Sequence, residues 1–132
     1  MKFIPLKYVD VFFDEKREFM EYTWKTSTEK MSEQEYKQMV NEISQMVMYY
    51  EPKYILGNAS NQNFLLTWDL SKWLKQILEN FQKIVEKYAL VLGENFSVRL
   101  AYEQILDNTV VNTRFFTARE EALRWLFEDE TS

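Results

Sequence analysis

The sequence predicts a single α/β domain with a mostly parallel sheet, and three features predict it. Short apolar runs at 54–56 and 88–92 read as strands buried on both faces. Two stripes at helical spacing, Tyr36 to Tyr50 and Leu70 to Val85, alternate with those runs. A hairpin pattern precedes the first helix. A hairpin followed by alternating helix and strand gives the order β-β-α-β-α-β-α-β-α, with about five strands and about four helices. One antiparallel strand then lies at the N-terminal edge, and right-handed crossovers join the parallel strands. No repeat, low-complexity stretch or linker interrupts the pattern. Residues 1–132 therefore form one domain, long enough to bury a sizeable core.

Each element has a local cause. Val9–Phe13 is a strand by composition, and 14–17 is a polar turn. Along 18–26, Met20, Tyr22 and Trp24 alternate with Glu21, Thr23 and Lys25, which sets one face inward. Residues 27–31 read as a loop. Ser32-Glu33-Gln34-Glu35 is a capping box, and Tyr36, Met39, Val40, Ile43, Val47 and Tyr50 follow on one helical face. Pro52 ends that helix, because proline disfavours helical geometry in its predecessor. Tyr54-Ile55-Leu56 is the central strand, and Gly57-Asn58-Ala59-Ser60 reads as the turn after it. Thr67 is an N-cap and Asp69 suits the helix N-terminus. Leu70, Leu74, Ile77, Leu78, Phe81, Ile84 and Val85 form the next stripe, with Trp73 at its edge and Trp68 pointing away. Residues 88–93 make a second buried strand.

A third, shorter helix spans 96–107, its apolar residues spread around the cylinder. Val98, Ala101 and Ile105 supply its core face. Phe96, Leu100 and Leu106 are then left over. The last strand is 111–116. Thr117-Ala118-Arg119-Glu120 matches a second capping box, and the closing helix turns Ala122, Trp125 and Leu126 inward. Residues 128–132 read as a frayed tail.

Composition excludes several function classes. The chain has no cysteine and no histidine. Thiol chemistry, the usual general base and the commonest metal ligand are therefore missing. A net charge of −5 without a basic cluster argues against nucleic acid. Two glycines leave no Gly-rich phosphate loop, and no Asp-rich loop has calcium spacing. No cofactor is expected. The N-terminus is broken by Pro5, Lys7 and Asp10 and does not read as a signal peptide. No run is long enough to span a bilayer, so a cytoplasmic protein is expected.

Three segments carry a family resemblance: Met31-Ser32-Glu33-Gln34-Glu35-Tyr36, Pro52-Lys53-Tyr54-Ile55-Leu56, and Thr113-Arg114-Phe115-Phe116 leading into Glu120-Glu121-Ala122-Leu123-Arg124-Trp125-Leu126. With them the chain resembles the STAS superfamily, in its SpoIIAA-like branch of small stand-alone bacterial proteins. The resemblance implies a regulatory or protein-binding module without catalytic turnover. Many STAS proteins carry an Asp-Ser-Ser-Gly-like turn where one Ser is phosphorylated. Here the matching region is Leu66-Thr67-Trp68-Asp69-Leu70, which offers only Thr67 and lacks the Gly.

The candidate binding residues are Thr67, Trp68, Asn58, Phe96 and Leu100. Thr67 is read first as an N-cap and second as a phosphoacceptor. Asn58 lies in the polar segment between the central strand and the helix that Thr67 caps. Trp68, Tyr49, Met48 and the third helix are candidates for an apolar contact surface. Phe96 and Leu100 are expected to meet a second subunit or a ligand. A protein partner or a homodimer is thus the leading expectation. The second is a small apolar ligand between the sheet and the helices, near Trp24, Trp73 and Phe81, since SpoIIAA-like domains are similar in fold to CRAL-TRIO lipid-binding domains. The third is an enzyme working with carboxylates alone. Glu33, Glu35, Asp69, Glu120 and Glu121 all sit at helix starts, where dipole complementation explains them better.

Overall fold

The computed structural model describes residues 1–64, 66–94, 96–106 and 111–128, without the side chains of 96–98 and 105–106. Its sheet has six strands in sequential order: β1 (Lys2–Pro5), β2 (Val9–Asp14), β3 (Phe19–Trp24), β4 (Tyr54–Ala59), β5 (Lys87–Leu92) and β6 (Thr113–Phe116). The first three are antiparallel and the last four parallel. The α/β class and the mostly parallel sheet are as expected. The strand count is one higher than expected, because Lys2–Pro5 pairs with β2 in place of trailing off. The N-terminal edge therefore holds two antiparallel ladders.

The crossovers are α1 (Glu33–Tyr50), α2 (Trp68–Glu79) and α3 (Phe96–Leu106), and α4 (Arg119–Leu126) closes the chain. Sequential strand order with crossovers of one hand places every crossover helix on the same face. Tyr36, Met39, Val40, Ile43 and Val47 of α1, Leu70, Leu74 and Leu78 of α2, and Tyr102 of α3 join Val11, Met20, Tyr22, Ile55, Tyr88 and Leu90 in the main core. Among the described residues, the helix on the opposite face is α4. There Ala122, Trp125 and Leu126 pack on Phe19, Leu56, Ala89 and Val91.

The capping box at α1 forms on both arms: Glu35 N–H donates to Ser32 Oγ at 3.1 Å, and Ser32 N–H to Glu35 Oε1 at 3.0 Å. The second expected capping box does not form. The N-cap of α4 is Ala118, with no side-chain cap. Instead Arg119, the first helical residue, reaches across to Glu21, Nε to Oε2 at 2.7 Å and Nη2 to Oε1 at 2.8 Å. Glu21 is buried at 8% exposure, so this bidentate pair satisfies a carboxylate that the second face would otherwise strand.

Gly57 also differs from expectation. It lies inside β4, between Tyr22 on β3 and Leu90 on β5. A Cβ at Gly57 would collide with the hydroxyl end of the Tyr22 ring. The glycine thus marks the close approach of an aromatic side chain, with no turn at that position. Gly93 answers a similar need, because a Cβ there would meet the backbone of Ser60. Where a strand to Thr26 and a loop over 27–31 are expected, the strand ends at Trp24 and Thr26–Lys30 form a 3₁₀ turn. The strand expected at 111–116 begins at Thr113, and the helix expected to reach Asp107 is described to Leu106.

Candidate recognition groove

Thr67 caps α2 through its Oγ1, which accepts from Leu70 N–H at 3.3 Å. The cap satisfies a backbone N–H of the first turn, and the apolar stripe sets the rotation of the helix. Leu70, Leu74 and Leu78 then face the core, and Trp68 faces out at 71% exposure. The spacing 68, 72, 75 places Lys72 and Lys75 on the same side as Trp68. The Lys72 ammonium sits 4.0 Å from the centre of the Trp68 ring, in a cation–π contact.

Helix α3 packs beside α2 and closes the other wall with Ala101 and Gln104. Leu66 and Ser71 complete a cleft of about 260 Å³. Leu100, one residue before Ala101, is 42% exposed on α3. The described lining carries two cations, an indole and apolar carbon, and no carboxylate.

The structure separates the other expected site residues. Asn58 stands on β4, where its Oδ1 accepts from Ser60 N–H at 3.1 Å and from Ser60 Oγ at 2.6 Å. It shapes the exit from the strand and does not line the groove. The side chain of Phe96 lies outside the described residues, as do those of Val98, Ile105 and Leu106. Met48 and Tyr49 are exposed, as expected, but they do not join Trp68. Helix α1 ends where β4 begins and α2 starts beyond the end of β4, so the two groups lie toward opposite ends of the strands. Tyr49 borders a separate cleft of about 330 Å³ with Ile4, Leu6, Glu42 and Met46. Sequence reasoning missed Lys72, Lys75 and Gln104. The first two were legible from their spacing to Trp68.

A second feature lies inside. Tyr22, Tyr36, Tyr88 and Tyr102 are buried around a cavity of about 40 Å³ between the sheet and α1 and α2. Trp24 and Phe81 line it, as expected for an interior ligand site, but Trp73 does not. Tyr22 and Tyr88 hydrogen-bond each other through their hydroxyls. Tyr36 bonds Tyr102, which donates to Gln62 Oε1 at 2.6 Å, and Gln62 Nε2 donates to the Phe64 carbonyl at 3.0 Å. Burial pushes the Tyr102 phenol up to about 12, against its hydrogen bonds with Tyr36 and Gln62. Burial, and then the neighbouring phenols, push Tyr36 and Tyr88 well up, and Tyr22 rises mainly through burial. All four are neutral at ordinary pH and act as hydrogen-bonding groups, not as bases.

The carboxylates at helix starts are spread out. Glu33 and Glu35 begin α1, Asp69 begins α2, and Glu120 and Glu121 begin α4 on the other face. Glu35 is held down to about 2 by the Ser32 backbone N–H, then by Lys7 and Tyr8. Among the described residues, no three carboxylates gather in a way that could hold a metal ion. Also among them, no helix is long and apolar enough to cross a membrane. Comparison with family models, curated proteins and solved structures finds no match to this chain.

Proposed function

We propose that this chain is a non-enzymatic regulatory or protein-interaction module of STAS type, from a bacterial cytoplasm. Its working surface is the groove between α2 and α3. The observation that carries this reading is Trp68. A ring of that size, exposed on a capped helix and bordering a cleft, belongs to the residue types enriched among interface hot spots. The hairpin followed by strict helix–strand alternation supports the STAS resemblance at the level of topology. Thr67 works as a structural cap in this reading.

The test is site-specific photo-crosslinking in the native host. A benzoylphenylalanine at position 71 or 100 should yield discrete protein adducts, and one at position 79, at the far end of α2, should not. Equal patterns from all three positions would refute the reading.

The aromatic interior favours a second reading, a carrier for a small apolar ligand. Its cavity holds about three water-sized groups as it stands, so a lipid would require α1 and α2 to part. Native mass spectrometry of protein purified without detergent decides this reading, with an intact mass free of adduct counting against it.

A further inference from the structure

We infer that the occupant of the Trp68 groove is an acidic peptide segment that anchors one bulky apolar side chain. This inference rests on the interaction reading above and adds the chemistry of the partner.

Three observations point to that occupant. The first is charge. The chain is acidic overall at −5, yet the described walls of the groove carry Lys72 and Lys75 and no carboxylate. The nearest acids in sequence are Asp69, in the first turn of α2, and Glu103, which pairs with Arg99 at 4.0 Å. The negative remainder of the protein repels a second, equally acidic copy, whereas the local positive site attracts a short anionic segment that meets only the groove.

The second is chemistry. The Lys72 ammonium already covers one face of the Trp68 ring, which fixes a cation beside an apolar surface. Leu66 and Ala101 add carbon to the cleft, and Gln104 and Ser71 offer neutral hydrogen bonds. A guest that satisfies this lining needs carboxylates and an apolar body close together.

The third is length. From Trp68 to Lys75 the helix rises by seven residue steps, or about 10 Å along its axis. A single small carboxylate is shorter than that. Three to four residues of extended chain, at about 3.3 Å each, span it. An aromatic or leucine side chain against Trp68 then leaves acids within reach of Lys72 and Lys75.

The probe is a phage-displayed library of random dodecapeptides, panned on the intact chain and in parallel on the Trp68→Ala variant. Peptides enriched only on the unsubstituted chain should combine Asp or Glu with Phe, Trp or Leu. Synthesised singly, such a peptide should lose roughly tenfold in affinity to a Lys72→Glu/Lys75→Glu variant, and should weaken as salt rises. It should lose roughly thirtyfold to Trp68→Ala. Both variants lie at exposed or half-exposed positions, and an unchanged thermal midpoint confirms that they fold.

Enriched peptides that lack acids, or that bind the double variant equally well, would overturn the charge assignment and leave the interaction reading standing. No enrichment over Trp68→Ala, together with no crosslink from position 71, would overturn both. Indole-3-acetate binding where no peptide is enriched would make this a small-molecule site and overturn the peptide. A dimer in sedimentation velocity that Lys72→Glu/Lys75→Glu dissolves would make the occupant a second copy, and would equally overturn it.

Discussion

Replacing Gly57 with alanine tests the packing of the whole crossover face. The new methyl would fall on the Tyr22 hydroxyl and the ring carbon that bears it. Tyr22 is buried and bonded to Tyr88, so it has little room to yield. Overpacking of a close-packed core costs about 1–3 kcal/mol. Displacing the ring would also break the Tyr22–Tyr88 hydrogen bond, at about 1 kcal/mol. Against this, alanine loses about 0.5–1 kcal/mol less backbone entropy than glycine. The expected net loss is about 2 kcal/mol. With a urea slope of about 2 kcal/mol/M for a domain of this size, the midpoint falls by about 1 M in an equilibrium unfolding curve followed by circular dichroism. A double-mutant cycle identifies the cause. In a Tyr22→Phe background the ring carbon remains, and Gly57→Ala stays costly. In a Tyr22→Leu background the obstruction is gone, and the cost falls by about 1 kcal/mol or more. If Gly57→Ala is neutral, or costs the same in all three backgrounds, Tyr22 does not occupy that space and the account of the strand is wrong.

Arg119→Ala should destabilise the domain by about 1–3 kcal/mol in the same urea assay. It strands the buried Glu21 carboxylate, and the half-exposed guanidinium holds the cost below that of a fully buried pair. Glu35 has a folded pKa of about 2 against an ordinary 4.5, so its contribution is present above pH 4.5 and is lost as pH falls toward 2. Glu35→Gln should flatten that part of a stability-versus-pH curve; an unchanged slope refutes the capping and ion-pair account. The four buried phenols work in the opposite sense. Their folded pKa values lie above the ordinary 10, so stability is intact below pH 10 and falls as pH rises through 10 toward 12 and beyond. Absorbance at 295 nm should show half of the eight tyrosines ionising only as circular dichroism reports unfolding. Leu100→Glu should leave urea stability within about 0.5 kcal/mol, as at other surface positions, yet weaken whatever binds beside α3. A collapse of the fold would show that Leu100 belongs to the core.

Where the hydrophobic pattern was strong, the sequence was easy to read. The stripe of α1, that of α2 as far as Leu78, the capping box at Ser32, the stop at Pro52 and the outward turn of Trp68 all follow from helical periodicity and cap chemistry, and the structure has them in those places; α2 ends at Glu79, so Phe81, Ile84 and Val85, read as part of its stripe, pack from the turns after it. Strand β1 was hidden because Lys2–Pro5 is only four residues, contains a proline and buries almost nothing. Its existence depends on pairing with β2, a non-local fact. Thr117 reads as a cap because a hydroxyl followed three residues later by Glu satisfies the local pattern, yet the N-cap is Ala118. The structure instead uses the start of α4 to reach Glu21, 98 residues away. Tyr102 was the main omission. The sequence assigns the core face of α3 to Val98, Ala101 and Ile105, and a tyrosine beside them is as compatible with the surface as with the core.

The glycine and the tyrosines form one problem and its solution. Sequential strand order places three helices on one face, and the space between that face and its helices must be filled. Large rings fill it, and Trp24 stacks on Tyr36 with centroids 5.5 Å apart, as Tyr36 does on Phe64 at 5.0 Å. Tyrosine in place of phenylalanine brings hydroxyls into a dry interior, where each must find a partner. The four phenols and Gln62 supply those partners for one another. One of the rings, Tyr22, can reach its partner only by crossing β4, and β4 carries its glycine at the crossing point. Without long-range structure, a glycine followed by Asn-Ala-Ser reads as a turn. With the sheet in place, it reads as the clearance for a hydrogen bond between strands β3 and β5.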